Sequence, residues 1–322
     1  MEGKASNKRT LRRAPGTMAM LITVALLVSA CAISRKPMEQ RRFDSAQQAV
    51  EALVAAVQGN DDAELLAILG PGSEDLISSG DKVADSNGRA RFSKAYAARH
   101  SLVPQDADRV TLLVGTRDYP FPIPVVREGD GAWHFDTPAG MEEILNRRIG
   151  RNELHTIEVM QAYTQAQREY AGIKRNGGSE FAQRLSSSPG KRDGLYWQAG
   201  EGEQESPFGP LIAKATEERY TAGLSEDSPE PFHGYYFKIL KAQGAHADGG
   251  AFDYVADGKM ILGFALVAYP AKYGASGIMT FIVNQEGVIY QKDLGEDTAT
   301  VAAGMTTFDP DSTWHKYEEP AG

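Results

Sequence analysis

Several groups of residues in this chain have the types and spacing that chemistry can use. Ser188-Pro-Gly-Lys191 has the Ser-x-x-Lys spacing in which a lysine takes a serine's proton and makes it a nucleophile. The Lys-Thr-Gly string that accompanies such a pair is missing, and the proline and glycine predict a loop, so no catalytic residue is assigned. Gly274-Ala-Ser276-Gly277 lacks the spacing of a Gly-x-Ser-x-Gly elbow and reads as a turn. The six histidines (His100, His134, His155, His233, His246, His315) never form His-x-His or His-Glu-x-x-His, so no metal site is assigned to them. Asp293, Glu296 and Asp297, or Asp309 and Asp311, offer oxygens to calcium but lack EF-hand spacing; solvated acids on turns are the reading taken. No cofactor is expected.

Two further groups are candidate binding surfaces. Arg147, Arg148 and Arg151 precede a predicted helix for which Asn152 is a plausible N-cap. Unpaired N–H groups at a helix start, with guanidinium forks beside them, form an anion site for a phosphate or carboxylate. The competing reading is an ion-pair cluster with Glu142, Glu143 and Glu153. Tyr196, Trp197, His233, Tyr235 and Tyr236 supply rings on which a sugar can stack, against the competing reading of ordinary core packing.

The start of the chain carries an address. Lys4, Lys8, Arg9, Arg12 and Arg13 precede an apolar run, Met18 to Val28, too short to span a bilayer, and that run ends in Val28-Ser29-Ala30-Cys31. Basic flank, short apolar core and a small-small-Cys ending resemble the lipobox of a bacterial lipoprotein. The resemblance implies a diacylglycerol on the sulfur of Cys31, removal of residues 1–30, and a tether over 31–42. Ala32, where an Asp would favour retention at the inner membrane, implies an outer-membrane anchor facing the periplasm. Cys31 is the only cysteine, so no internal disulfide forms. The net charge of −9 grows more negative once the basic leader is gone, which disfavours nucleic acid as a partner.

What remains exceeds one typical domain and predicts two. Ala46, Ala49, Val50, Leu53, Val54 and Val57 share one helix face behind an Asp44 or Ser45 cap, and Asp61–Leu69 repeats the pattern up to Gly70-Pro71-Gly72. A third helix is expected from about Arg89 to Ala98, after turns at Gly80-Asp81 and Asn87-Gly88. Strands follow at Val110–Gly115, at Phe121–Val126 (an edge strand, given its prolines) and at Ala132–Phe135. Residues 137–152 read as a junction, then a helix from Glu153 to about Tyr170 buries Leu154, Ile157, Met160, Tyr163, Ala166 and Tyr170. Residues 176–231 read as irregular apart from a helical piece near 210–220. The last third is antiparallel β: 235–240, 259–269, 277–283 and 287–290, with an extended tail packing Phe308 and Trp314.

The strings RRIGRNEL, GKRDGLYW, HGYYFKIL, GFALVAYPAKYG and MTFIVNQEGVIYQKDLG, with LLAILGPG and WHFDTPAG, resemble the bacterial exported family known as domain of unknown function 2950 across the whole mature chain. That resemblance implies an exported, often lipid-anchored protein. The C-terminal half also resembles the globular heads of type IV pilins, but Arg147, Arg148 and Arg151 stand where pilins carry about twenty apolar residues. The expectation is therefore an α+β protein: a helix-plus-antiparallel-sheet domain over 43–136, and a pilin-head-like domain over 137–322 with a long helix packed on an antiparallel sheet. The function expected is non-enzymatic binding or scaffolding in the periplasm, attached to the membrane by lipid, with another envelope protein or cell-wall glycan as partner. The alternative is a periplasmic hydrolase or transferase acting on cell-wall glycan or peptide.

Overall fold

Ser45 caps the first helix by accepting the N–H of Gln48, and α1 (Ala46–Gly59) buries the predicted stripe through Val57 before Asn60 closes it in the left-handed conformation. Asp61 caps α2 (Asp62–Leu69) in the same way through the N–H of Glu64. The computed structural model describes residues 39–173, 180–220 and 230–319. Cys31 and the leader, on which the lipidation expectation falls, lie outside the described residues. Of the predicted tether, Gln40 to Arg42 are fastened down. The Gln40 amide donates to the carbonyls of Ile68 and Phe135, Arg41 pairs with Glu64, and Arg42 pairs with Glu128 and Asp130.

A short α3 (Glu74–Ile77) leads to α4 (Lys82–Ala98), which starts well before the predicted third helix. The helix runs through Asn87-Gly88 because Asp81 caps it, accepting from the N–H of Ala84, and because the Asn87 side chain is tied down on the carbonyl of Glu218. The first sheet comprises β1 (His100–Pro104), β2 (Arg109–Val114), β3 (Tyr119–Pro120), β4 (Val125–Arg127) and β5 (Trp133–Phe135), ordered β1-β2-β4-β5 with β3 also on β2. The prolines do not mark an edge. Proline has no N–H for a ladder, so Phe121–Pro124 stay outside it and the strand begins after Pro124, as an inner strand between β2 and β5. The β1 strand, half-exposed and without clean alternation, was not visible in the sequence pattern.

The expected junction at 137–152 is helix. α5 (Thr137–Gly172) runs unbroken for 36 residues, roughly 50 Å. Pro138 sits in its first turn, where a missing N–H costs nothing, and Thr137 donates its hydroxyl to the Leu69 carbonyl. Its first half packs Ile144 against the core made by α1, α2 and the first sheet. Its second half packs Ile157, Met160, Tyr163, Ala166 and Tyr170 into a second core; Leu154, predicted in that stripe, is 52% exposed.

The second core is completed by α6 (Gly209–Glu217), β6 (Tyr235–Leu240), β7 (Ala242–Gln243), β8 (Phe252–Asp253), β9 (Val255–Ala256), β10 (Lys259–Met260), β11 (Ala265–Pro270), β12 (Met279–Asn284), β13 (Ile289–Asp293), α7 (Thr298–Gly304), β14 (Thr307–Phe308) and β15 (His315–Lys316). The main sheet runs β15-β13-β12-β11-β6, antiparallel throughout, and α5 lies on β11 and β12. A smaller sheet, β14-β7-β8, receives the tail, with β14 parallel to β7 and Phe308 buried. The architecture is α+β, and both cores belong to one compact unit, Met38–Gly322.

Candidate functional site

The two cores meet at a seam whose anchor is Asp81, 1% exposed. One carboxylate oxygen caps α4; the other accepts the Tyr220 hydroxyl at 2.9 Å and the Gly234 N–H at 2.8 Å. The Tyr220 oxygen in turn accepts the His233 N–H at 3.2 Å. Burial, with Asp81 beside it, holds the Tyr220 phenol well above its ordinary range, so it remains a donor. His233 and Gly234 are consecutive left-handed residues, φ +50° and +79°, which turns both N–H groups towards this buried acceptor pair. Glycine is required at 234: a Cβ there would lie 2.5 Å from the Asn152 amide nitrogen and 3.0 Å from the Ser276 Cβ.

The strained loop presents the His233 ring to three helices. Its centroid lies 4.3 Å from that of His155 on α5, and its Nε2 lies 3.0 Å from a carboxylate oxygen of Glu218, just beyond α6. Helical spacing puts Arg151, His155 and Glu158 on one stripe of α5, Asn87 and Arg91 on one stripe of α4, and Lys214 one turn before Glu218. Asn87 bonds the Glu218 carbonyl at 2.8 Å, and Lys214 faces Glu158 at 3.9 Å, so the three elements are tied together. The Nδ1 of His155 is buried without a hydrogen-bond partner among the described residues.

This surrounding sets the protonation states. Burial first, then His155, Lys214, Arg151 and Arg91, pushes His233 down to about 3. At neutral pH the ring is therefore uncharged, with its Nε2 3.0 Å from the Glu218 carboxylate. Burial also lowers His155, against the pull of Glu158. Arg151, exposed as a residue, is lowered by loss of water around its guanidinium and then by Arg91. Neither Arg91 nor Arg151 has a carboxylate partner among the described residues, an arrangement of like charges that the free protein holds at a cost.

The sequence-predicted anion site is redistributed by the continuous helix. Asn152 is not an N-cap: it sits mid-helix, buried, and gives its amide to the Ser276 carbonyl at 2.8 Å. Arg147 pairs with Glu143, one helical turn away, as the ion-pair reading required. Arg148 spans to the carbonyls of Asp75 and Leu76, both at 2.6 Å, and Glu153 accepts the N–H groups of Ile278 and Met279 instead of an arginine. Only Arg151 remains open, and it joins His233 from the other predicted group.

The aromatic candidates do not share a surface. Tyr235 is fully buried and donates to the Met279 carbonyl. Trp197 is buried with its indole N–H on the Gln204 carbonyl and Arg192 over its ring. Tyr196 and Tyr236 are half-buried, the latter against Tyr269. The Ser188 hydroxyl donates to Asp193 at 2.9 Å, and Lys191 adds only its backbone N–H, to the Ser188 carbonyl. Asp293, Asp309 and Asp311 accept from Gly295, His246 and Thr313, and no group of three or more His, Cys, Asp or Glu is placed to hold a metal among the described residues. A groove of about 380 Å³ against the first sheet includes Arg109 and Glu143, but their charges are taken by Asp136 and Arg147.

Sequence reasoning missed Arg91, His155, Lys214 and Glu218. Arg151 and His155 at i, i+4 were a readable pair; Arg91 was hidden because a turn was expected at Asn87-Gly88. Among families, the one described as protein of unknown function (DUF2950) matches residues 40–317, and the chain belongs to this family. No curated protein and no solved structure matches it.

Proposed function

We propose that this family member is a lipid-anchored envelope protein that acts by binding or scaffolding and turns no substrate over. The observation that carries the binding half is the seam, where Arg91 and Arg151 stand beside two uncharged imidazoles without a carboxylate of their own among the described residues. Repulsion retained in this way is offset when a partner brings negative charge. Placement rests on Val28-Ser29-Ala30-Cys31 behind its basic flank and short apolar run. Among the described residues no helix is long and apolar enough to cross a membrane, so the thioether-linked lipid is the proposed attachment, at the outer membrane and facing the periplasm. The division at about residue 136 is part of this reading and is supported by the two separate cores. So is the pilin-head likeness, supported by α5 lying on an antiparallel sheet; the charged first half of α5 sets it apart from a filament stem.

The alternative, a hydrolase or transferase on cell-wall material, draws on one contact: an imidazole on a carboxylate, His233 to Glu218 at 3.0 Å. Among the described residues, the Tyr220 hydroxyl beside it is spent on Asp81 and is no nucleophile. Two measurements test the proposal. Mass spectrometry of membrane-fraction protein is expected to find a chain beginning at diacylglyceryl-Cys31; an unmodified, uncleaved terminus in soluble extract overturns the placement. Incubation with purified sacculi is expected to leave the muropeptide profile unchanged; a new product that disappears with His233→Gln establishes the alternative.

A further inference from the structure

We infer that the groove on the first sheet takes a neutral sugar: a pyranose ring of a glycan, its substituents equatorial, seated between the proline segment 120–124 and the first turns of α5. The inference rests on the reading above that the protein binds without turnover, and it adds a site of its own. Glu143, which lines this groove, comes about two helical turns before Arg151 of the seam.

The prolines make the groove. Strand β2 pairs with β3 at Leu113 and Val114 and with β4 at Arg109 and Val110; between these pairings the chain leaves the ladder, because its prolines have no N–H to give it. The opening that results, about 380 Å³, is lined by Pro120, Phe121, Pro122 and Pro124, by Arg109 and Thr111 of β2, and by Ala139 and Glu143 of α5. Its wall is set before a ligand arrives. The Phe121 N–H donates to the Leu112 carbonyl at 2.8 Å, the Pro124 carbonyl accepts the Asp136 N–H at 2.9 Å, and α5 lies so close to Pro122 that a Cβ at Gly140 would overlap its carbonyl.

Charge and main chain together select the ligand. Arg109 and Glu143 are the charged lining groups; they are opposite in sign and each is already paired, with Asp136 at 3.2 Å and with Arg147, so the groove has no net charge to offer an ion. The wall is also short of backbone donors. Three lining residues are proline, the N–H groups of Gln105, Phe121 and Ala139 go to the carbonyls of Arg109, Leu112 and Asp136, and Thr111 lies in the ladder with β1. An extended peptide would leave its own carbonyls unpaired here. Side chains are what remain. Gln105 is exposed and Thr111 half-buried, and neither side chain is spent on another described residue. An equatorial pyranose is the complement: a face of C–H groups for the proline rings and Phe121, and a rim of neutral donors and acceptors for the amide and the hydroxyl.

The test is titration of tri-N-acetylchitotriose and of cellotriose, both built of such rings, into the purified full chain, followed by calorimetry and by amide NMR. Saturable binding of at least one is expected, shifting the Gln105 and Thr111 signals and equally tight in low and high salt, since no ion pair forms with the ligand. Gln105→Ala and Thr111→Val are each expected to weaken it about threefold to tenfold. Ala139→Trp, which fills the groove from an exposed helix position, is expected to abolish it, and Gln165→Trp, exposed on the far half of α5, to change nothing. Failure of both saccharides to bind, binding that salt abolishes, or equal weakening by Gln165→Trp overturns the inference and leaves the binding reading to the seam. Saturable binding of decaproline in their place overturns it in favour of a peptide. Release of shortened saccharide during the titration keeps the groove as the sugar site and overturns the reading without turnover.

Discussion

At the scale of single residues, the seam histidines behave as buried neutral groups, and that has a signed consequence for stability. Both His155 and His233 hold protons less readily in the folded chain than the ordinary 6.5. Above that value folded and unfolded chains are both neutral there, and the rings contribute nothing to pH dependence. As pH falls below it, the unfolded chain takes up protons that the folded chain refuses, so stability drops, and for His233 the drop continues towards about 3. His155→Gln is expected to lose less stability than the wild type between about pH 7 and pH 5 in urea unfolding; an equal loss contradicts the assignment. Residue identity alone did not reveal this site. His155 and His233 stand far apart in sequence, and what pairs them is the left-handed turn at His233-Gly234, which carries no signal stronger than one glycine.

At the scale of elements, the helices with clear stripes were legible: α1 behind its Asp44 or Ser45 cap, which proves to be Ser45, α2 over Asp61–Leu69, and the buried face of the second half of α5. The main sheet was legible because its strands are separated by turn pairs such as Glu286-Gly287, whose glycine is left-handed, between β12 and β13. Reading failed where side chains far away in sequence override local preference. Asn87-Gly88 stays helical through a bond to Glu218, and 147–152 stays helical through Arg148 on the α3 carbonyls and Asn152 on Ser276. The unbroken α5 gives a prediction of its own. Gly150 lies mid-helix, and a Cβ added to it would meet nothing within 4 Å, so Gly150→Ala is expected to stabilise the protein by about 0.5 to 1 kcal/mol. Denaturant midpoints check this, and a destabilised variant would indicate the broken helix that the sequence had suggested.

At the scale of the whole molecule, two hydrophobic cores are tied by one long helix and one buried carboxylate. Asp81→Ala removes a helix cap and strands the Tyr220 hydroxyl and the Gly234 N–H, so a loss of about 3 to 5 kcal/mol is expected, against under about 1 kcal/mol for the exposed Glu143→Ala. Similar small losses for both would mean that the seam is not a structural joint. The functional claim depends on the seam holding positive charge that the fold itself does not need. Its most direct measurement is the unfolding free energy, in phosphate-free buffer at low salt, of wild type, Arg91→Gln, Arg151→Gln and the double variant. Relief of repulsion predicts that each single change stabilises the free protein by about 0.5 kcal/mol, that the double change gains less than the sum, and that added salt erases the gain. Loss of stability on removing either guanidinium would show that it serves the fold, and would contradict the account.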